Sequence, residues 1–199
     1  MKNNLEAVYG QKFFRKRDSL LWRGDIFGSV IKKILDPKSL VDAGCAIGDF
    51  VKWFLEHEVQ AWGIEGSKEA KPYLVAPADR ILFADLREPL TGLGAVATVP
   101  WDLCMSIEVA EHIEPEFADA FVANLCSFAP RILITAAGTG ERGVGHCNLQ
   151  PRDYWVEKFQ KHGFERKVGI EKRITSECFP HRTNRWLCAI LCHMIYLEK

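Results

Sequence analysis

A short apolar strand that runs straight into a glycine turn and a helix start restricts this chain to a narrow set of α/β architectures. The stretch is Ser39-Leu40-Val41-Asp42-Ala43-Gly44-Cys45-Ala46-Ile47-Gly48-Asp49-Phe50. Leu40 and Val41 supply the strand, and Gly44 and Gly48 let the backbone turn sharply and approach a ligand without a Cβ in the way. The helix that follows opens with N–H groups that have no partner inside it. Seventeen residues past Gly48, the run Ala61-Trp62-Gly63-Ile64-Glu65 ends a second strand with a carboxylate. That is about the offset at which an acid meets a ribose hydroxyl pair, so two adjacent strand ends can hold one adenosine.

The turn is not the dinucleotide fingerprint, which needs glycines where this chain has Ala46 and Asp49. Asp42 and Asp49 flank the turn with negative charge that repels phosphates and suits a ligand carrying an ammonium and a sulfonium. S-adenosylmethionine is such a ligand. On the residues Asp42-Ala43-Gly44-Cys45-Ala46-Ile47-Gly48 the chain resembles the class I S-adenosylmethionine-dependent methyltransferases, whose first motif has the form D-x-G-C-G-x-G. The resemblance implies cofactor contacts at Asp42, Gly44, Cys45, Ala46 and Gly48. Ala46 departs from the family glycine and adds a methyl where the cofactor's methionine tail passes the loop.

Downstream of this turn strands and helices alternate. The pattern predicts strands at 39–43, 59–65, 80–84, 101–107 and 130–136 and helices at 48–57, 67–74, 115–127 and 151–162. Such alternation means a parallel sheet with helices on both faces. Residues 163–174 and 193–198 are read as two more strands around a helical Trp186–Cys192. The expected fold is α/β, a Rossmann-like, doubly wound, mostly parallel seven-stranded sheet, whose antiparallel last strand is implied by the resemblance. Residues 5–36, with Phe13, Phe14, Leu20, Leu21, Ile26, Phe27, Val30, Ile31 and Ile34 at three- and four-residue steps, are predicted as a helical entry segment ending at Asp36-Pro37. At 199 residues the chain suits one domain, with 1–37 as entry or lid segment and 38–199 as core.

Charge excludes one class of function. Twenty-six basic and 26 acidic residues balance, which argues against wholesale electrostatic binding to nucleic acid. The seven cysteines form no C-x-x-C pair and read as reduced packing residues, and no apolar run approaches membrane-spanning length. With no signal peptide legible, a cytoplasmic protein is expected.

Four further segments carry candidate chemistry. Glu65, followed by Gly66-Ser67, lies at the carboxyl edge of the sheet and is assigned to the ribose, against the alternative of a solvated acid capping the next helix. Asp85 ends the strand Ile81–Ala84; in the family an acid here accepts from the adenine amino group while its neighbour, here Leu86, packs the ring. The competing reading makes Asp85 a turn residue before Arg87. The third strand end, Ile107-Glu108-Val109-Ala110-Glu111-His112, also belongs to the expected cofactor pocket at Ile107 and Glu108. If the chain turns helically there, Glu108, Glu111 and His112 fall at i, i+3 and i+4 and converge. Two carboxylates and an imidazole suit a divalent cation such as Mg²⁺, Mn²⁺ or Fe²⁺. The E-x-x-E-H form is similar to the metal site of small-RNA 3′-terminal 2′-O-methyltransferases and to the same stretch of ubiquinone-pathway O-methyltransferases. His146 is a candidate fourth ligand, and His112 and His146 are the candidate general bases.

The fourth segment, Gly145-His146-Cys147-Asn148-Leu149-Gln150-Pro151-Arg152-Asp153-Tyr154-Trp155, resembles a G-H-x-N-x-Q-P-x-x-Y-W pattern in small class I methyltransferases. His146, Asn148 and Gln150 there offer polar handles to an acceptor or brace the loop, while Tyr154, Trp155 and Phe159 pack the next helix. Tyr9, Phe13, Phe14 and Trp22 are candidates for a lid over the cofactor or for an ordinary amphipathic helix. The basic residues Arg166, Lys167, Lys172, Arg173, His181, Arg182 and Arg185 are interleaved with Glu165, Glu171 and Glu177 and read as a solvated face.

The function these residues imply is transfer of the methyl of S-adenosylmethionine to an oxygen, nitrogen or carbon of a small-molecule acceptor. Metal-assisted 2′-O-methylation of RNA and a non-catalytic nucleoside-binding scaffold are the alternatives, with a nicotinamide-dependent oxidoreductase a minor one. No Asn-Pro-Pro-Tyr or Asp-Pro-Pro-Tyr sequence is present, which counts against adenine or glutamine amide nitrogen as acceptor.

Overall fold

The structure, a computed structural model, describes residues 4–17, 21–90, 96, 99–181 and 183–199. Two short helices, α1 (Leu5–Val8) and α2 (Gln11–Phe14), precede a π-helical turn at Gly24–Gly28 that runs into α3 (Ser29–Leu35). Then follow β1 (Ser39–Ala43), α4 (Asp49–Glu56), β2 (Gln60–Glu65), β3 (Ile81–Phe83), β4 (Leu103–Ser106), α5 (Ala118–Phe128), β5 (Arg131–Thr135), α6 (Arg152–Gln160), β6 (Glu165–Arg166), α7 (Val168–Cys178), α8 (Arg185–His193) and β7 (Met194–Glu198). The strand order is β3-β2-β1-β4-β5-β7-β6. The first five strands in that order are parallel, and β7 pairs antiparallel with both β5 and β6.

Alternation along each central strand builds two cores. In β1, Leu40 faces one side and Val41 and Ala43 the other; in β4, Leu103 and Met105 oppose Cys104; in β5, Leu133 opposes Ile132 and Ile134. Residues of α3, α4, α7 and α8 cover the first face and those of α5 and α6 the second, the double winding expected from the alternation. Because the strands are covered on both sides, β1, β4 and β5 read as apolar runs rather than as alternating ones.

The entry segment is broken where one helix over 5–36 was expected. Gly10 interrupts it with extended backbone ahead of α2. Gly24 and Gly28 lie against Trp53, so close that a Cβ at either would come within 2.5 and 2.8 Å of that ring. This contact needs a wider turn than an α-helix gives, and the backbone supplies it as the π turn. Asp36 in the left-handed region, followed by Pro37, ends α3. Leu20 lies outside the described residues.

Two other segments differ from their sequence reading. Residues 67–74 form a 3₁₀ turn, Lys68–Tyr73, because Pro72 has no N–H to continue an α-helix. Of the strand read over 163–174 only Glu165 and Arg166 pair; from Val168 on the chain is α7, with buried Glu171, Ile174 and Cys178 at three- and four-residue steps. Glu171 disguised that apolar stripe. Its carboxylate accepts from the Arg166 guanidinium at 2.9 and 2.8 Å and from the Tyr196 N–H at 3.0 Å, which makes a buried acid tolerable. Of the residues read as a basic face, Lys167 pairs with Glu165 and Arg166 with Glu171, while Glu177 pairs with Lys33; Arg182 lies outside the described residues. All seven cysteines are free. No helix among the described residues is long and apolar enough to cross a membrane.

Candidate active site

The carboxyl ends of β1, β2, β3 and β4 open on one cleft. Gly44, Ala46, Glu65, Gly66, Asp85, Leu86, Glu108 and His112, all expected at the site, line it. Tyr9, Phe13 and Phe14 of the entry segment close its open side, joined by Arg17. Trp22 does not take part; it packs edge-on against Trp186 at 5.5 Å.

The turn after β1 is shaped by its contacts. Gly44 (φ +87°) and Gly48 (φ +79°) occupy the left-handed region, and a Cβ on Gly44 would lie 2.3 Å from the Val109 side chain. On Gly48 it would meet Ala76 at 2.7 Å, so that glycine serves packing rather than ligand approach. The N–H groups of Gly44 and Cys45 both donate to the Ile64 carbonyl, at 2.8 and 3.0 Å, docking the turn on the end of β2. Ala46 keeps the left-handed backbone a glycine would have (φ +52°), and its methyl packs with Phe14, Ile47 and Ala70. Cys45 is buried beside Gly63. Ile107 is also buried, in the core on the side of α3 and α4.

Glu65 braces this turn as well as lining the cleft. Its carboxylate accepts from the Ala46 N–H at 2.9 Å and the Ser67 N–H at 2.8 Å, leaving lone pairs on both oxygens for a diol. Burial pushes its pKa up to about 7 against the pull of these N–H groups. Asp42, fully enclosed beneath the turn, rises to about 8 through burial and then the neighbouring Asp49. Ser67 is turned to the entry segment, its hydroxyl donating to the Tyr9 carbonyl. Asp49 is in a buried ion pair with Arg23 at 2.6 Å and does not face a ligand as a free charge. Asp85 takes the turn geometry of its competing reading, accepting from the Arg87 N–H at 2.9 Å and from its guanidinium, while still lining the cleft. Arg87 in turn reaches Glu114 at 3.0 Å and so joins the ends of β3 and β4.

The segment after β4 is not one helix. Glu108 has left-handed backbone (φ +58°), and a 3₁₀ turn begins only at Ala110. This swings Glu108 towards β5, where its N–H donates to the Thr135 hydroxyl and the hydroxyl donates back to its carboxylate, both at 2.8 Å. Glu111, His112 and His146 gather instead, with ligating atoms all within 4.8 Å of one another. The loop bearing His146 is fastened there by the N–H groups of Cys147 and Asn148, both bonded to the Glu111 carbonyl at 3.0 Å.

Both carboxylate oxygens of Glu111 and the Nδ1 atoms of His112 and His146 are buried with no hydrogen-bond partner among the described residues. The backbone N–H groups of Glu111 and Ala137 act on that carboxylate electrostatically, but burial dominates and pushes it up to about 8. Burial pulls His112 down to about 4, so it is neutral at pH 7. Its ring meets Tyr9 edge-on at 5.6 Å and His146 at 4.8 Å. The Asn148 side chain is enclosed rather than presented to the cleft.

Sequence reasoning missed Arg17, Val109, Glu114 and Thr135 as parts of this site. Thr135 alone carried a signal, as the polar end of a buried strand at the ligand edge.

Strand order and cleft together define the class I methyltransferase fold. No protein-family model matches the sequence, and no curated protein does. Among solved structures the chain is similar to a SAM-dependent methyltransferase from Archaeoglobus fulgidus, with TM-score 0.62, 16% identity and 95% of this chain and 97% of that one covered. It is also similar to magnesium protoporphyrin IX methyltransferase from Synechocystis PCC 6803 with bound SAM, with TM-score 0.53, 19% identity and coverage of 81% and 79%. A third is the methyltransferase domain of bacterial CtHen1-CN, with TM-score 0.54, 19% identity and coverage of 71% and 86%.

Proposed function

We propose that this chain binds S-adenosylmethionine in the cleft and transfers its methyl group to a small-molecule acceptor. The observation that carries this is the convergence of Gly44 and Ala46, Glu65, Asp85 and Glu108 from four successive strand ends on one cavity. The donor is already activated by its positive sulfur, so the protein has mainly to hold the acceptor in line with the methyl and accept a proton where the acceptor has one to lose. His112 lines the cleft as a neutral imidazole, with His146 behind it. Its lowered pKa makes it a weak base, suited to an acceptor whose acidity rises as the new bond forms. Isothermal titration tests the reading: micromolar binding of S-adenosylmethionine and S-adenosylhomocysteine, abolished by Gly44→Arg, is expected. Absence of binding by the unaltered chain refutes it, and a methylation screen over metabolites and RNA oligomers then identifies the acceptor.

A second reading is favoured by the orphaned atoms of Glu111, His112 and His146. A buried carboxylate and two imidazoles, with Glu111 Oε1 3.9 Å from His146 Nε2, fit a divalent cation, and the imidazoles favour a transition ion over Mg²⁺. When bound, such an ion would polarise an acceptor hydroxyl such as the 2′-OH of an RNA end. Titration of Mn²⁺ or Co²⁺ into the unaltered chain and into Glu111→Ala and His112→Ala tests it. Binding lost in both variants supports a cation site, and no binding by the unaltered chain excludes it.

A further inference from the structure

Glu108 is the acid that the end of β4 supplies to the cleft wall, and its backbone lies in the left-handed region (φ +58°), which a non-glycine residue adopts only at a cost. Thr135 is what holds it there. The Thr135 hydroxyl accepts from the Glu108 N–H and donates to Glu108 Oε1, both at 2.8 Å, so that backbone and side chain of one residue close on a single oxygen. Thr135 itself is fully buried at the end of β5, paired with Met194 of β7, and the sheet fixes its position.

A strained residue fastened at a ligand edge points to function rather than packing. On a right-handed backbone Glu108 would fall with Glu111 and His112 at i, i+3 and i+4; held by Thr135 it lines the cleft instead, and those two residues gather with His146 without it. Its Oε1 is committed to Thr135, and the carboxylate keeps further lone pairs for a cationic ligand. With the ribose at Glu65 on β2 and the adenine against Leu86 after β3, the strand order β3-β2-β1-β4 lays the rest of the donor across β1 towards β4. The sulfonium and the ammonium then come to the side of Glu108.

We propose that Thr135 is a positioning residue for the donor, fixing the Glu108 carboxylate against its positive end, an assignment that rests on the reading of the cleft as an S-adenosylmethionine site. Thr135 acts through Glu108. A carboxylate already ordered by the protein loses little further freedom when the ligand arrives, so the contact keeps more of its strength.

The test is a double-mutant cycle on the full chain, read by isothermal titration of S-adenosylmethionine and of 5′-methylthioadenosine, which shares the adenosine and the sulfur but carries neither positive charge. Glu108→Gln is expected to weaken S-adenosylmethionine by about ten- to a hundredfold, the range of a hydrogen bond to a charged group. Thr135→Val and Thr135→Ala, which remove the hydroxyl, are each expected to weaken it by about three- to tenfold. Thr135→Ser keeps the hydroxyl and should stay within about twofold of the unaltered chain. In the double variant Thr135→Val with Glu108→Gln the loss should equal that of Glu108→Gln alone, because both changes remove one contact. Binding of 5′-methylthioadenosine should be the same in all of them, which also shows that they are folded. Losses that add in the double variant overturn the assignment, as does S-adenosylmethionine binding that Thr135→Val or Glu108→Gln leaves unchanged. An equal loss of both probes in Thr135→Val and Thr135→Ala also overturns it, since a merely structural role has that signature. If the unaltered chain does not bind S-adenosylmethionine, the donor reading itself fails and Thr135 falls with it.

Discussion

The hydroxyl of Ser67 donates to the backbone carbonyl of Tyr9 at 2.8 Å, a bond across 58 residues that fastens the entry segment to the carboxyl edge of β2. Tyr9 also lies against His112, so this one bond holds a cover over both the Glu65 end and the His112 end of the cleft.

Ser67→Ala removes that tie. A hydrogen bond of this kind contributes about 1 kcal/mol, which corresponds to about a fivefold change in an opening equilibrium. Amide exchange of residues 5–17 is expected to speed up by about that factor while β1 and β4 exchange as before. Unchanged protection of the entry segment would show that its apolar packing alone, Phe14 with Ile47 and Ala70, holds it closed.

Gly44→Ala tests the turn itself. The left-handed backbone costs an alanine about 1–2 kcal/mol, and the overlap with Val109 adds about 1–3 kcal/mol. Urea unfolding is therefore expected to show a loss of about 2–5 kcal/mol together with loss of donor binding. Adding Val109→Ala relieves the overlap and leaves the backbone term, so the double variant should regain part of the stability and none of the φ-dependent remainder. A neutral Gly44→Ala would refute the contact.

The Arg23–Asp49 pair, buried at 5% and 2% side-chain exposure, connects the entry segment to the start of α4. Arg23→Met leaves a buried carboxylate without its partner and should cost about 3–5 kcal/mol. Replacing both, with Asp49→Leu, should recover most of that loss. If the single and double variants unfold at the same urea concentration, the pair is not what stabilises this junction.

The residues that reached their expected places did so because their signal is local. Leu40, Val41, Gly44 and Glu65 carry strand, turn and strand end within a few residues, and the sheet places them without help from afar. Where a distant contact decides the outcome, the sequence is silent. Gly24 and Gly28 look like tolerated helix glycines until Trp53 is set against them, and Glu171 looks like surface until Arg166 and the Tyr196 N–H reach it. The i, i+3, i+4 spacing of Glu108, Glu111 and His112 predicted convergence only on a helix, and the left-handed Glu108 bonded to Thr135 breaks that condition. Arg17 had no pattern to announce it, because only the folded entry segment brings it to the cleft.

The buried acids Asp42, Glu65 and Glu111 should make stability fall as pH rises, the reverse of the usual carboxylate behaviour, opposed below about pH 6.5 by His112, which burial lowers to about 4. Burial raises Asp42 to about 8 and Glu65 to about 7, whereas both titrate near 4 in an unfolded chain. From about pH 4 to 8 the native state thus holds protons that the unfolded state has released. With fewer protons bound by the unfolded state, the slope of unfolding free energy against pH is negative. Stability is full below about pH 4 as far as these two groups are concerned, and it is lost as pH rises through their native values. The urea midpoint is expected to drop between about pH 6.5 and 8.5, and Asp42→Asn should flatten that drop by removing one of the two groups with a native pKa near 8. A positively charged donor favours the ionised acids, so S-adenosylmethionine should bind more tightly at pH 8 than at pH 5.5 and release protons as it binds. Calorimetry in buffers of different ionisation enthalpy measures that release directly. A midpoint that Asp42→Asn leaves equally pH-dependent would show that Asp42 stays ionised beneath the turn.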